Sequence, residues 1–250
     1  MTVLVTRPER AGQELTQSII KLGGDAIHHP LIAIKLNPAP SLDITYIENC
    51  DIVIAVSQHA VHYSEQLFSN LGIHWSTRAT YIGIGQKTAQ ELSKLTPQKV
   101  HYPIQGESEH LVTMRQLQDV EGKNILILRG VGGRELINSH LTNLGANVQY
   151  LEVYQRHLIP IPSHSFEEWR QKGVDTVVVT SGEQLTHLVS ATSEPEKQWL
   201  EQLLLLVPSE RIACLAKAQG FEHVINMHGA SNSITLDTLK RLATGLQHDE

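Results

Sequence analysis

The sequence has few cysteines and no long hydrophobic run. Cys50 and Cys214 are its only cysteines, and they form neither a C-x-x-C motif nor a Cys/His ligand pattern. A disulfide scaffold is therefore excluded, and free thiols favour a reducing, cytoplasmic compartment. The apolar run from Leu203 to Pro208 is far shorter than the about 20 residues of a membrane span, and too few apolar residues precede Arg7 for a signal-peptide core. We therefore expect neither membrane insertion nor export.

An excess of positive charge is also missing. The chain carries 20 Lys and Arg against 26 Asp and Glu, a formal charge of −6, with no dense basic cluster. Proteins that hold nucleic acid through its phosphates need many cations, so the charge balance disfavours nucleic-acid binding. The 250 residues, 41% of them hydrophobic, are enough for one large or two modest globular domains.

The motifs of three enzyme classes are missing as well. The 14 histidines are scattered, and none forms an H-x-x-x-H or H-E-x-x-H pair on one helix face, so no metal site is predicted. The sequence contains no G-x-S-x-G nucleophile elbow, which disfavours a serine hydrolase. It also lacks a P-loop lysine and a G-x-G-x-x-G fingerprint, which disfavours a nucleotide-dependent α/β enzyme.

A short apolar run, a polar turn and a segment of helical period recur along the chain, which is typical of βα units that build a parallel sheet. The first predicted helix covers Gln13 to Leu22, has Leu15, Ile19 and Leu22 on one face, and ends at Gly23-Gly24. The predicted strands are Val3–Thr6, Ile52–Val56, Thr80–Ile84, Asn124–Leu128, Thr176–Val179 and Leu203–Val207.

An internal repeat indicates two similar domains. The segments that begin at Leu4, Asp51 and Tyr81 are echoed by segments that begin at Ile127, Asp175 and Leu205, which gives the order a-b-c-a′-b′-c′. Prolines cluster after each a-type unit, where a chain would leave one domain for the other. If both places are crossings, residues 1–33 and 160–250 form one discontinuous domain, residues 39–154 form the second, and 34–38 with 155–159 are linkers.

Ligands of open parallel sheets bind at the carboxyl ends of the strands, where helix N-termini favour anions, so two facing domains would form a cleft lined with donors. The Gly130-x-Gly132-Gly133 turn could hold an anion through its N–H groups or could simply make a tight turn. Ser57, Ser181 and Ser209 each precede a helical segment, where a serine most simply caps the helix. For the glycines, anion binding and a tight turn both stay open.

Several of these segments together resemble the uroporphyrinogen-III synthase family over essentially the whole chain. The order and spacing of the motifs carry the resemblance. The motifs are Leu4-Val5-Thr6-Arg7-Pro8, Pro30-Leu31-Ile32, Ala55-Val56-Ser57-Gln58-His59-Ala60-Val61, Ile82-Gly83-Ile84-Gly85 with Thr88-Ala89, Ile127-Leu128-Arg129-Gly130 with Gly133-Arg134-Glu135-Leu136, Tyr154-Gln155-Arg156, and Val178-Val179-Thr180-Ser181-Gly182.

The resemblance implies an α/β fold of two similar parallel-sheet βα domains, flavodoxin-like and of the HemD type, joined by a two-stranded linker. It implies a cytoplasmic, cofactor-free enzyme of haem biosynthesis. The family's enzymes cyclise hydroxymethylbilane, a linear tetrapyrrole with eight carboxylates, to uroporphyrinogen III, with loss of water and inversion of ring D. A transient hand-over of this substrate from hydroxymethylbilane synthase would fit the same role.

The resemblance also assigns site residues. Tyr154 matches the family's tyrosine that helps the hydroxyl leave, so it is the predicted catalytic residue. The predicted substrate-binding residues are Arg7, Ser57, Gln58, Thr88, Arg129, Gly130, Arg134, Ser181, Gly182 and Ser209. The chain departs from the family at two places: Pro208-Ser209-Glu210-Arg211 stands where many members have Gly-x-Thr-Thr-Ala, so Ser209 would replace a threonine, and His59 stands where some have arginine.

One alternative to catalysis stays open at this point. A non-catalytic two-lobed binding protein for a small anionic ligand would use the same cleft of backbone donors.

Overall fold

The structure is a computed structural model that describes residues 1–41 and 43–245. Its strands form two sheets flanked by helices, so the predicted α/β class is confirmed. The strands are β1 Thr2–Val5, β2 Asp25–His28, β3 Ile32–Leu36, β4 Ile52–Ala55, β5 Thr80–Gly83, β6 Val100–His101, β7 Asn124–Gly130, β8 Asn147–Leu158, β9 Thr176–Val178, β10 Leu204–Val207 and β11 His223–Asn226. The helices are α1 Glu9–Lys21, α2 Ile44–Asn49, α3 Gln58–Leu71, α4 Gln86–Leu92, α5 Ser108–Leu111, α6 Leu136–Asn143, α7 His164–Gln171, α8 Gly182–Ser190, α9 Glu194–Glu201, α10 Glu210–Ala218 and α11 Asn232–Ala243, with a short 3-10 helix at Arg115–Leu117.

The chain divides into two compact units. One contains Met1–Ala33 and the chain from His157 onward, and the other is Ile34–Arg156. The segments predicted as linkers fall largely on β3 and β8, which are neighbours in one sheet. Residue 42 and residues 246–250, which the prediction also assigned to domains, lie outside the described residues.

The unit that begins at Met1 contains a five-stranded parallel sheet in the order β11-β10-β9-β1-β2. The first strand of the chain therefore pairs with a strand from its last third, with Val3 opposite Thr176. Its side chains alternate between two cores, since Leu4 packs with Leu205 on one face and Val5 with Leu206 on the other.

The Ile34–Arg156 unit contains a six-stranded sheet in the order β3-β8-β7-β4-β5-β6. Successive residues of β7 again face opposite sides: Leu126 and Leu128 pack beneath α3, and Ile125 and Ile127 pack beneath α6. Because both faces are covered, the central strands are continuous apolar runs, which is typical of parallel sheets. These runs are the signal by which the sequence predicts the strands.

All six predicted strands are present, with ends within two residues of the prediction. The strands without a prediction include β2 and β11 at the sheet edges, whose partly exposed residues give no apolar run. Helix α1 begins at Glu9 instead of Gln13, because its first turn contains no large apolar residue to mark it. It ends as predicted, with Gly23 in the left-handed conformation at φ +84°.

Two of the three predicted serine caps are confirmed. The Oγ atoms of Ser57 and Ser181 accept hydrogen bonds from the N–H groups of Ala60 and Gln184, at 3.0 and 3.2 Å. Ser209 occupies the corresponding position before α10, but its side chain makes no capping hydrogen bond. The prediction of a capping side chain at Ser209 is therefore wrong, and its hydroxyl is not committed to the helix.

Candidate functional site

A cavity of about 270 Å³ lies within the Ile34–Arg156 unit, at the carboxyl ends of β4, β5, β7 and β8. This is the sheet edge at which ligands of parallel α/β proteins bind. Five of the residues predicted for the site line the cavity. They are Ser57, Arg129, Gly130, Arg134 and Tyr154.

A β-bulge determines where Tyr154 points. Glu152 lies opposite Arg129, but the next residue of β7, Gly130, lies opposite Tyr154, so β8 contains one extra residue. Without the bulge, strict alternation would direct Tyr154 to the same face as Tyr150. Tyr154 instead packs in the core on the α3 side and is only 6% exposed.

Gly130 allows the ring of Tyr154 to lie directly against the backbone of β7. A Cβ atom at position 130 would lie 2.6 Å from Cζ of Tyr154 and closer still to Cε2, inside the distance at which carbon atoms repel. The N–H of Val131 donates to the carbonyl of Tyr154 at 2.8 Å, so the two strands stay paired beside the ring. The glycine is thus needed for this close approach, whatever else the turn binds.

The hydroxyl of Tyr154 meets the start of α3. Its oxygen lies 3.2 Å from Oγ of Ser57, and either hydroxyl can be the donor. Because Ser57 also accepts from the N–H of Ala60, the helix fixes the position of its oxygen. The rings of His59 and Tyr63 lie 5.8 and 6.0 Å from that of Tyr154. The phenol is thus held by both its ring and its oxygen at the edge of the cavity.

The buried side chain of Arg129 binds the backbone of the glycine turn, Gly130 to Gly133. The residue is 4% exposed, and its guanidinium donates to Glu135 at 3.0 Å, to the carbonyl of Gly130 at 3.2 Å and to the carbonyl of Gly132. Its Cζ atom also lies 4.2 Å from the centre of the Tyr150 ring. Three of its five N–H donors are thus used within the protein, and the burial of the side chain limits access for a substrate carboxylate.

Glu152 is a functional candidate that the sequence did not single out. One of its carboxylate oxygens accepts from the N–H of Gly132 at 3.1 Å and lies 3.8 Å from Nε of Arg129. Glu152 therefore binds the N–H of Gly132, whereas Arg129 binds the carbonyl of the same residue. The pairing of β8 with β7 brings it there, and the sequence analysis did not include it among the site residues.

Glu135 and Tyr150 complete this network. The hydroxyl of Tyr150 donates to Glu135 at 2.5 Å, and this bond, followed by the one from Arg129, lowers the pKa of the Glu135 carboxyl. Burial raises the pKa of Tyr150, and its bond to Glu135 raises it further. The carboxylate is thus ionised and the phenol protonated at neutral pH, which is the pair of states that this bond requires.

Arg134 differs from Arg129 in its exposure. Its side chain is 75% exposed and forms an ion pair with Glu109 at 3.0 Å, whose side chain is 53% exposed. Arg134 is therefore accessible from solvent at the edge of the cavity. Two other predicted residues of this unit do not line the cavity: Gln58 is exposed at the first position of α3, and Thr88 is 5% exposed in α4.

In the other unit, Arg7 follows β1 and donates to the carbonyl of Ala230 in the loop before α11. Burial lowers its pKa, yet an arginine keeps its charge at neutral pH. Its Nε atom is buried, and no acceptor for it lies among residues 1–41 and 43–245. Part of the donor capacity of Arg7 is therefore unused.

Ser181, Gly182 and Ser209 lie after the neighbouring strands β9 and β10, at the N-termini of α8 and α10. Gln184, which is 2% exposed, connects the segments that follow β9 and β1. Its side chain accepts from the N–H of Thr180 at 2.7 Å and donates to the carbonyl of Thr6 at 3.4 Å. Gln184 is thus a positioning residue that the sequence analysis did not identify.

Within the part of the chain that the structure describes, no three His, Cys, Asp or Glu residues are placed to hold a metal ion. Over the same residues, no helix is both long enough and apolar enough to cross a membrane.

Two α/β units, one of them with a phenol and a glycine turn at a strand-end cavity, are typical of the class of α/β proteins that bind ligands at the carboxyl ends of their strands. Comparison with known sequences defines the family within this class. Residues 13–232 match the family described as "HEM4: Uroporphyrinogen-III synthase HemD". The chain belongs to the uroporphyrinogen-III synthase family, so the resemblance, the hydro-lyase class and the role in tetrapyrrole biosynthesis are confirmed.

Curated relatives match over nearly their whole length. The chain is 38% identical to the uroporphyrinogen-III synthase of Escherichia coli (strain K12) over 248 residues, which is 96% of this chain and 100% of the relative. It is 38% identical to the same enzyme of Salmonella typhimurium over 247 residues, again 96% and 100%. Both alignments therefore leave out only about 4% of this chain.

Solved structures of more distant proteins show the same fold. A mutant uroporphyrinogen III synthase from the extremely thermophilic bacterium Thermus thermophilus superposes with a TM-score of 0.62 at 17% identity, covering 98% of this chain and 99% of that one. The uroporphyrinogen-III synthetase from Helicobacter pylori 26695 gives 0.61 at 14% identity, covering 96% and 98%.

Proposed function

We propose that this chain cyclises hydroxymethylbilane to uroporphyrinogen III, with loss of water and inversion of ring D. The observation that carries the proposal is the hydroxyl of Tyr154, which is bound to Ser57 at the edge of a cavity beside a glycine turn. The named activity of the 38% identical relatives supports it.

In this proposal Tyr154 donates a hydrogen bond, and then a proton, to the hydroxyl group that leaves as water. A phenol is a weak acid at neutral pH, so it assists the departure without being indispensable. Ser57 orients the phenol, since its own oxygen is fixed by the N–H of Ala60. The cationic intermediate is then stabilised by a preorganised polar surface while the chain is held for ring closure.

The substrate's carboxylates explain the polar groups at the strand ends. We assign Arg134 to a carboxylate because it is exposed at the cavity, and Arg7 because its buried Nε atom has no acceptor among the described residues. The N-termini of α8 and α10, with Ser181, Gly182 and Ser209, would add backbone donors. Gln58 and Thr88 stay predicted binding residues on the family resemblance alone.

The cavity's size limits what it can hold. About 270 Å³ is below the roughly 300–1,000 Å³ of pockets that enclose a drug-sized ligand, so this cavity would receive only part of a four-ring substrate. We assign it to the reactive end, since Tyr154 lies there. Arg129, which the family resemblance predicted as a substrate-binding residue, would instead act through the shape of the turn from Gly130 to Gly133.

Two finer proposals accompany this function. We expect the protein to work in the cytoplasm, as its free thiols indicate. We also expect hydroxymethylbilane synthase to supply the substrate by transient hand-over, because the linear product of that enzyme cyclises without inversion when left alone.

The proposed function is tested by incubating the chain with hydroxymethylbilane and separating the type I and type III isomers after oxidation. We expect type III to predominate and its amount to rise with protein concentration. Type I alone, formed at the spontaneous rate, would contradict catalysis and favour the alternative of a non-catalytic anion-binding protein.

Replacing the phenol by a phenyl ring gives a graded prediction. We expect Tyr154→Phe to lower kcat for type III formation by about 10- to 100-fold without abolishing it. This range lies at or below the usual contribution of a positioned general acid. The free energy of unfolding should change by no more than about 1 kcal/mol, since one hydrogen bond to Ser57 is lost. Tyr81→Phe is the control, because its hydroxyl binds the carbonyl of Ser76 and Tyr81 does not line the cavity. Equal kinetics for both variants would remove Tyr154 from the mechanism.

A further inference from the structure

The arginines that bracket the glycine turn are both paired with carboxylates of the protein itself. Arg129 binds Glu135 and lies beside Glu152, and Arg134 binds Glu109. At these two arginines, a polyanionic substrate therefore does not meet an unpaired cation. Before it can use either charge, it must replace a carboxylate that is already present.

The two pairs differ in how easily they exchange. The side chain of Arg129 is 5% exposed and also donates to two backbone carbonyls, so separating it from its partners would leave a buried charge. Arg134 and Glu109 are 75% and 53% exposed, and exposed pairs contribute little to stability. Of the two arginines, only Arg134 can therefore be separated from its carboxylate partner at a small cost in free energy.

The Arg134–Glu109 pair also lies beside the cavity, which Arg134 lines. Glu109 belongs to α5, the helix whose first residue, Ser108, lines the cavity together with Arg134. The ion pair thus joins α5 to the segment before α6 at the cavity rim. Leu111 is fully buried and anchors α5 in the core. The position of the helix that carries Glu109 is therefore fixed.

We propose that Glu109 is an internal competitor for the substrate: its carboxylate occupies Arg134 in the free protein and is displaced by a carboxylate of hydroxymethylbilane. Glu109 would thereby weaken binding of the substrate and select for ligands with enough negative charge to displace it. This inference rests on the proposed function, in particular on Arg134 as a carboxylate contact.

The test compares KM and kcat for type III formation in variants of the full chain. Glu109→Gln keeps the shape of the side chain and removes its charge, so we expect KM to fall by about two- to fivefold, the range that an exposed ion pair allows, with kcat changed less than about twofold. Glu91→Gln is the matched control, since Glu91 pairs with Lys94 at 2.8 Å on α4 and changes net charge equally. Its KM should stay at the wild-type value.

A double-mutant cycle separates competition from a general charge effect. Arg134→Ala alone should raise KM, and adding Glu109→Gln to it should change KM no further, because the shared cation is gone. The benefit of Glu109→Gln should also shrink as ionic strength rises, since salt screens exposed charges.

Two results with Glu109→Gln would overturn the proposal: an unchanged or raised KM in the single variant, or the same fall in KM with and without Arg134. Both are distinguishable from failure of the proposed function. If the wild-type chain forms no type III isomer, the function fails. If the chain is active and Arg134→Ala leaves KM unchanged, the assignment of Arg134 fails and the inference fails with it.

Discussion

Among substitutions that add a single methyl group, we expect Gly130→Ala to disrupt the site most. The added Cβ would lie 2.6 Å from Cζ of Tyr154, so the ring must move by about 1 Å or the two strands must separate. Overpacking of this kind costs about 1–3 kcal/mol of unfolding free energy. Because a misplacement of about 1 Å at a reacting group can cost 100-fold in rate, we expect kcat for type III formation to fall by about 10- to 100-fold.

Chemical denaturation and isomer analysis of Gly130→Ala measure both effects. Gly106→Ala is the matched control in the same unit, since its Cβ would meet its nearest neighbour at 3.5 Å, an ordinary contact, and its φ is not positive. Wild-type stability and wild-type kcat in Gly130→Ala would show that Tyr154 does not depend on this close approach. Loss of activity with unchanged stability would instead mean that the ring moves easily and that its position matters only for the reaction.

Arg129→Ala is expected to have the largest effect on stability among the charged residues of the cavity. The substitution removes the donors to Glu135, Gly130 and Gly132 and uncovers one face of the Tyr150 ring. Glu135 and Glu152 are partly exposed and can regain water, so the cost should be about 1–3 kcal/mol, below that of breaking a fully buried pair. Type III formation should fall about tenfold or more as the turn loses its shape.

Two comparisons make this prediction specific. Arg134→Ala removes the same type of side chain from an exposed pair, so its unfolding free energy should change by less than about 1 kcal/mol while KM rises. Arg129→Lys keeps the charge but cannot reproduce the fork of donors, and we expect it to be destabilised almost as much as Arg129→Ala. Equal stability of the Arg129 and Arg134 alanine variants in urea denaturation would contradict the bracing role of Arg129.

The fold could be predicted from the sequence because buried parallel strands are apolar throughout. Ile52–Ala55 and Leu204–Val207 are recognisable in this way, and the glycines after α1 mark the end of that helix. Edge strands such as Asp25–His28 gave no such signal, because their residues are only partly buried and polar residues interrupt them. The pattern alone left open whether the chain is an enzyme or a binding protein. The family resemblance favoured an enzyme, and comparison with known sequences established the family.

The site could be predicted only in part, for a physical reason. Tyr154, Gly130 and Ser57 stand in recognisable motifs, and the structure brings them to one cavity. Glu152 and Glu109 bind residues that line this cavity, the first through strand pairing and the second through an ion pair between α5 and the segment before α6, and neither relation is visible in local sequence. The orientation of Tyr154 depends on a bulge that no residue pattern announces.

A structure of the protein with uroporphyrinogen III bound, prepared without oxygen, tests most directly whether the reaction takes place at this strand-end cavity. We expect a pyrrole ring at the cavity with the Tyr154 hydroxyl within hydrogen-bond reach, about 2.6–3.2 Å, of the macrocycle or of a water between them, and a carboxylate of the product on Arg134 in place of Glu109. A macrocycle bound away from Tyr154, with the turn from Gly130 to Gly133 untouched, would contradict the account.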